Sequence, residues 1–279
     1  MHDTDGGAYP VVDLALARQL ECADGMASAN FVDVRREHHP QVGAQWINVG
    51  GTVAMFDGAA SPLTQTFGLG LDESFTAGQL DEIEMFYRRH QCHVSHEICA
   101  LAAAATSNHV SARGYSPIEA SVVSVRPTDD RSRRDAGGIT VRVVDDTGTD
   151  LWARVSGDGL RSESEELGTF VEEFGVLSGW VRGVHRFLAE LDGRAIATAA
   201  LTFSNGIAVF SGASTIPDAR RQGAQGALLR ARLAFAAEHN MKLAMIVASP
   251  GTESQRNAER QGFRPVYTRT KWQRLHKTV

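Results

Sequence analysis

Two hairpin dipeptides thirteen positions apart, Asp192-Gly193 and Asn205-Gly206, constrain the fold of this chain more than any other feature. A type I′ turn needs positive φ at both central residues, which these pairs tolerate, and it joins neighbouring strands that run antiparallel. Residues 184–191, 195–203 and 207–216 are therefore predicted as a three-strand antiparallel meander. Residues 151–155 and 170–181 carry apolar side chains at helical spacing and predict two helices ahead of it. Beyond it, residues 227–239 place Leu229, Leu233 and Ala236 on one face of an amphipathic helix. The run LAMIVA within residues 242–249, flanked by Asn240 and Pro250-Gly251, reads as a strand buried on both faces. Thr252-Glu-Ser-Gln255 is a capping box opening a helix that ends at Gly262, and alternation through Val266, Thr268, Thr270 and Trp272 marks a last strand over residues 264–274. This order specifies an α/β architecture with mixed strand directions.

The connection between the third meander strand and the long helix is Pro217-Asp-Ala-Arg-Arg-Gln-Gly-Ala-Gln-Gly226. A strand that ends in a basic, glycine-containing turn and passes directly into a helix builds an anion cradle. The first-turn N–H groups have no intrahelical partners, the helix dipole adds positive potential, and glycine lets phosphate oxygens reach the backbone. Arg220 and Arg221 add full charges at the rim. The turn lacks the Gly-Lys-Ser/Thr of nucleoside triphosphate loops and the Gly-x-Gly-x-x-Gly of dinucleotide folds.

Arg220-Arg-Gln-Gly223-Ala-Gln225 follows the pattern [QR]-x-x-G-x-[GA] up to its last position, where Gln225 replaces a small residue. In this the sequence resembles the GNAT superfamily of N-acetyltransferases, whose helix after the fourth strand opens on that motif. Ala227-Leu-Leu229, the buried strand and Arg260-Gln-Gly262-Phe263 extend the resemblance over residues 138–274. It implies acetyl-coenzyme A, or another acyl-coenzyme A, lying in a V between the strand ending at Ile216 and the one beginning near Lys242. It places Thr215 and Ile216 on the pantetheine arm, and Arg220, Arg221, Gln222, Gly223, Ala224, Gln225, Gly226 and Ala227 around the pyrophosphate. Ser254 and Asn257 are further candidates for the arm, or else capping and surface groups. The implied chemistry is direct acyl transfer to an amine, with the backbone N–H at or beside Ile216 facing the developing oxyanion. Where many members carry a thiolate-protonating tyrosine, this sequence has Ala258. Tyr267 is then the candidate acid, or a cross-strand packing aromatic, and Glu172, Glu173 and Glu190 are the candidate bases, or surface charges.

The first half repeats the plan without the cradle. Residues 45–49, 52–56 and 64–71 predict a second meander, residues 78–89 and 100–113 helices, and residues 93–98 and 118–125 strands. Gly114-Tyr115 matches Gly262-Phe263 at an offset of 148. At the place of the cradle stands Leu71-Asp-Glu-Ser-Phe-Thr-Ala-Gly-Gln79, whose two carboxylates would repel a pyrophosphate. The expectation is a tandem protein of two GNAT-like domains, each a mixed, mostly antiparallel sheet flanked by helices. A degenerate domain spans residues 1–128, a polar linker 129–138 and an acyl-coenzyme A-binding domain 139–279. The degenerate domain could wall the acceptor site or serve as a packing partner.

Charge divides the same way. Residues 1–130 hold 7 Arg and Lys against 17 Asp and Glu, and residues 131–279 hold 21 against 16, so the second half alone is basic and suits an anionic ligand. The net charge of -5 and the absence of a basic stripe with interleaved aromatics argue against nucleic acid. No apolar run approaches a membrane span, and the start carries no signal-peptide pattern, so a cytosolic location is expected. Cys22, Cys92 and Cys99 are an odd number in a chain large enough to build a core, so a disulfide framework is neither indicated nor needed. His90, Cys92, His93, His96, Glu97 and Cys99 match no zinc spacing, and alternation along a strand would point His93 and His96 to opposite faces, so no metal is expected. The reading is an N-acetyltransferase using acetyl-coenzyme A on an amine of a small molecule or peptide. The alternative is a non-catalytic acyl-coenzyme A sensor or interaction module.

Overall fold

The computed structural model describes residues 8–72, 75–102, 104–128 and 138–274. These form two compact units. The first comprises residues 10–123 with 248–250 and 265–274, and the second comprises residues 8–9, 124–247 and 251–264 within the described set. Apart from Gly138, the expected linker lies outside the described residues.

The first unit begins with a helix that periodicity did not announce, α1 (Leu14–His38), capped by Asp13, whose carboxylate accepts from the Leu16 N–H at 2.8 Å. Its buried face includes Ala17, Ala23, Ala27, Ala29, Gly25 and the charged Glu21, which blurs the apolar stripe a sequence reading relies on. β1 (Gln45–Val49), β2 (Thr52–Phe56), α2 (Ala77–Arg89), β4 (Ser95–Cys99), α3 (Ala104–Ala112) and β5 (Tyr115–Pro127) fall close to expectation. The strand expected over residues 64–71 shrinks to β3 (Thr66–Phe67), because Gly68 and Gly70 take φ of 79° and 74° and leave the extended region. Residues 115–123 of β5 belong to this unit and residues 124–127 to the other.

The second unit contains β6 (Ile139–Val144), which was not expected, then α4 (Thr149–Arg161) and α5 (Glu165–Leu177). The meander follows as β7 (Val184–Leu191), β8 (Arg194–Ser204) and β9 (Ile207–Thr215), and then α6 (Ala224–Glu238), β10 (Leu243–Ala248) and α7 (Glu253–Arg260). Both hairpin turns have the backbone that their dipeptides require: φ is 51° and 78° at Asp192 and Gly193, and 48° and 75° at Asn205 and Gly206. Strand order here is β5-β10-β9-β8-β7-β6. Trp152, Phe187, Leu201, Leu228 and Leu233 anchor the core.

The last strand, β11 (Arg264–Arg274), corrects the expected domain plan. Residues 265–274 belong to the first unit, where β11 runs antiparallel to β4 with Arg269 opposite Cys99 and Gln273 opposite Ser95. Strand order in that unit is β1-β2-β3-β4-β11-β5. The physical reason is side-chain chemistry. Arg269 pairs with Glu21 at 2.6 Å and Asp24 at 2.7 Å, and Lys271 with Glu97 at 3.3 Å, so the strand's cations meet carboxylates of α1 and β4. No helix among the described residues is long and apolar enough to cross a membrane.

Candidate active site

β10 runs parallel to β9, and the ladder joins residues 243–246 to residues 207–210. It stops at the Ile246–Phe210 pair, while β9 continues to Thr215 beside β8 through a bulge near Ala200. The two strands therefore part, and residues 211–215 present backbone without a β10 partner. An open cleft of ≈ 930 Å³ lies at this parting, within the volume range of small-molecule sites.

The end of α4 borders the cleft through a close approach. A Cβ on Gly159 would come within 2.0 Å of Ser214 Oγ and 2.9 Å of the Thr215 nitrogen, so a larger residue there would push α4 off β9. On the other side, Gly223 caps α6 with φ at 89°, and a Cβ there would point into open space. No side chain caps this helix. The first helical hydrogen bond runs from the Ala227 N–H to the Gly223 carbonyl at 3.1 Å, which leaves the preceding N–H groups free of intrahelical partners. Arg221 is held at a φ of 66°, an uncommon conformation for a residue with a side chain.

Arg220, Arg221, Arg230, Arg232 and Arg260 line the cleft against two carboxylates, Glu163 and Glu253. Glu253 is bridged to Arg256 at 3.3 Å and Arg260 at 3.3 Å. Arg220 donates to the Gly159 carbonyl at 2.7 Å and to Ser162 Oγ at 3.1 Å, tying the cradle to the end of α4. The excess of cations over a helix N-terminus suits a polyanion.

Of the residues expected to hold the cofactor, the structure gathers Thr215, Arg220, Arg221, Gln222, Gly223, Ala224, Gln225, Gly226, Ser254 and Asn257 around this one cleft. Asn257 accepts from Arg260 at 2.7 Å. Gln225, the departure from the motif, donates to the Ser214 carbonyl and to Thr215 Oγ1, both at 2.9 Å, so its side chain staples α6 to the end of β9. Ile216 and Ala227 are not in the lining. The Ile216 N–H donates to the Ile196 carbonyl at 3.0 Å, which removes it as oxyanion donor, and Ala227 is buried in the core.

The four expected acid–base residues are placed elsewhere. Glu172 is ion-paired with Arg161, Glu173 is exposed on α5, and Glu190 pairs with Arg142 at 3.0 Å across β6 and β7. None of them lines the cleft. Tyr267 is buried in the first unit and donates to Glu21 at 2.8 Å, and burial together with the Glu21 charge pushes its hydroxyl well up, the wrong direction for a proton donor. Ala258, where the tyrosine was sought, is buried in the core beside Phe263. Glu163, on the turn between α4 and α5, was missed; it is a cleft carboxylate with no ion pair among the described residues. Arg232 was missed as well, although a charge in register with Leu228 and Leu229 on the apolar face of α6 is a legible signal.

The acetyltransferase (GNAT) family model matches residues 160–263. Among curated proteins, none matches the chain in sequence. Solved structures share the fold across nearly the whole chain. A GCN5-related N-acetyltransferase from Kribbella flavida superposes with a TM-score of 0.69 at 16% identity, covering 95% of this chain and 97% of that one. A tandem GNAT protein from the clavulanic acid biosynthesis pathway gives 0.60 at 13% identity, covering 92% and 94%. A GCN5-related N-acetyltransferase from Sphaerobacter thermophilus gives 0.53 at 15%, covering 95% and 93%.

Proposed function

We propose that this chain, which carries a domain of the acetyltransferase (GNAT) family at residues 160–263, transfers an acetyl or short acyl group from acyl-coenzyme A to an amine of a small molecule or peptide. The observation that carries the reading is the uncapped, arginine-rimmed N-terminus of α6 standing where β9 and β10 part. The residues present fit the donor: Gly223 leaves open space before the free N–H groups, and Arg220 and Arg221 flank them. When bound, acetyl-coenzyme A supplies the acyl group already activated as a thioester.

The chain's own part is positional and electrostatic. Residues 211–215 of β9 offer backbone to the pantetheine arm and to the oxygen on which charge develops, the role that Ile216 does not fill. Glu163 receives the proton of the attacking amine, directly or through water, and the amine nitrogen takes the acyl carbon as the carbon–sulfur bond breaks. With Ala258 buried, the leaving sulfur takes its proton from water.

The test is thiol release from acetyl-coenzyme A over a panel of amines, alongside calorimetry of coenzyme A binding. Turnover with at least one amine and a fall in affinity of tenfold or more in Gly223→Val support the reading, since a side chain there occupies the phosphate approach. Full affinity in a folded Gly223→Val protein would move the site elsewhere. The buried Ala258 in place of an acid favours a second reading, a non-catalytic acyl-coenzyme A sensor, which predicts binding with no thiol release.

A further inference from the structure

Three arginines are buried among the described residues, and two of them have carboxylates: Arg186 pairs with Asp146 at 3.1 Å, and Arg269 with Glu21 and Asp24. The third, Arg232, is 1% exposed and has no carboxylate of the described residues within ion-pair distance. Its guanidinium donates to the carbonyls of Ala200 at 2.9 Å, Ser211 at 3.3 Å and Leu228 at 3.3 Å, and lies 4.5 Å from the centre of the Phe210 ring. Nη2 has no hydrogen-bond partner among the described residues. Carbonyls and a ring satisfy a guanidinium in part, but a buried cation without a counter-charge is disfavoured. Burial without a counter-charge lowers the guanidinium's pKa to about 9.

Arg232 also lines the cleft, and its contacts with Phe210 and Ser211 place its guanidinium where the β9–β10 ladder ends. It stands nine positions beyond Gly223 on α6, about 13 Å along a helix that rises ~1.5 Å per residue. A pyrophosphate held at the helix N-terminus is too far away to neutralise it. If the cleft takes an acyl-coenzyme A as proposed above, the pantetheine arm covers the intervening distance. That arm carries amides and a thioester but no charge. The counter-charge must then arrive at the reacting end.

We propose that Arg232 receives a carboxylate carried by the ligand at the reacting end of the cleft. The carboxylate has two possible sources of the same chemistry. One is the far end of a dicarboxylic acyl group, as in succinyl- or malonyl-coenzyme A. The other is the carboxylate of an amino-acid acceptor. Either makes Arg232 a specificity residue, with Nη2 and the uncompensated charge as its recognition elements.

Two comparisons on the full-length chain test this. Calorimetry with coenzyme A, acetyl-coenzyme A and succinyl-coenzyme A addresses the acyl source. Rates with acetyl-coenzyme A on amino acids and on their decarboxylated amines address the acceptor source. The expected result is a preference of at least tenfold for the carboxylate-bearing partner in one arm, cut to within threefold in Arg232→Met. Arg232→Lys, which keeps the charge without the planar donor fork, is expected to retain part of the preference, and serves in place of Arg232→Met should that protein fail to fold. A wild-type protein that binds coenzyme A yet shows no preference in either arm overturns the proposal, as does a preference that survives in Arg232→Met. Absence of coenzyme A binding by the wild type instead overturns the assignment of the cleft, and the role of Arg232 with it.

Discussion

Tyr267 donates its hydroxyl hydrogen to the carboxylate of Glu21 at 2.8 Å, across 246 positions of sequence. The same oxygen, Oε1, accepts from Arg269 Nε at 2.6 Å, and the other, Oε2, has no hydrogen-bond partner among the described residues. A carboxylate with so few donors depends on each of them. Tyr267→Phe is expected to lower unfolding free energy by about 1–3 kcal/mol in urea titrations. The same variant should leave thiol release from acetyl-coenzyme A unchanged, because the hydroxyl serves α1 and β11 rather than the leaving sulfur. A large loss of turnover in a stable Tyr267→Phe protein would return the acid role to this residue.

Glu163→Gln keeps the shape of the side chain in the cleft and removes its basicity. Turnover is expected to fall by about two to four orders of magnitude, with coenzyme A affinity retained. A variant with wild-type kcat would leave the proton to water alone.

One equivalent of coenzyme A per chain is the expected stoichiometry. The helix that corresponds to α6 in the first unit is α2, and its N-terminus is already closed by a capping box: Gln79 Oε1 accepts from the Thr76 N–H at 2.7 Å while Thr76 Oγ1 accepts from the Gln79 N–H. Asp72 adds a negative charge before it in sequence. Calorimetry giving two equivalents would show that this capped terminus still admits a pyrophosphate.

His96 is fully buried, with Nδ1 3.0 Å from Thr66 Oγ1 and Nε2 without a hydrogen-bond partner among the described residues. Burial, reinforced by Arg274 and Arg113, holds its pKa down at about 3 from an ordinary value of 6.5. The unfolded chain therefore takes up a proton near pH 6.5 that the folded chain refuses until about pH 3. Stability from this group is intact above pH 6.5 and is lost as pH falls, by up to ~1.4 kcal/mol per pH unit. Urea titrations at pH 7 and pH 5 should show His96→Gln losing about 1–2 kcal/mol less than wild type over that interval. Equal losses would mean that the imidazole is protonated in the fold.

The elements that announce themselves in the sequence are those whose local chemistry is complete within a few residues. Asp192-Gly193 and Asn205-Gly206 carry their own turn geometry, Thr252 and Gln255 their own cap, and the cradle from Arg220 to Gly226 is one continuous segment. The acid–base residues are another matter. Whether a glutamate faces a cleft or an arginine depends on partners in other elements: Glu190 meets Arg142 of β6, and Glu172 meets Arg161 of α4. Helix α1 was illegible for a related reason, since its buried face mixes Leu16, Leu20 and Val32 with alanines, Gly25 and the charged Glu21, which dilutes the apolar stripe that a periodicity argument looks for. Pairing of β11 with β4 is a choice between sheets, settled by Glu21, Asp24 and Glu97 rather than by anything within residues 264–274.

That pairing sets a timetable for biosynthesis. The first unit is nearly complete once residue 123 has left the ribosome, but the strand that fits between β4 and β5 follows only after residue 264. At about 5–20 residues per second, the gap is roughly 8–30 s, long compared with helix or hairpin formation. Throughout that interval two strand edges in the nascent protein stand open to any passing extended chain, including a neighbouring copy on the same messenger. The part of the molecule made first is thus the part finished last, and its yield in a cell depends on how well those edges are kept apart until the final strand arrives.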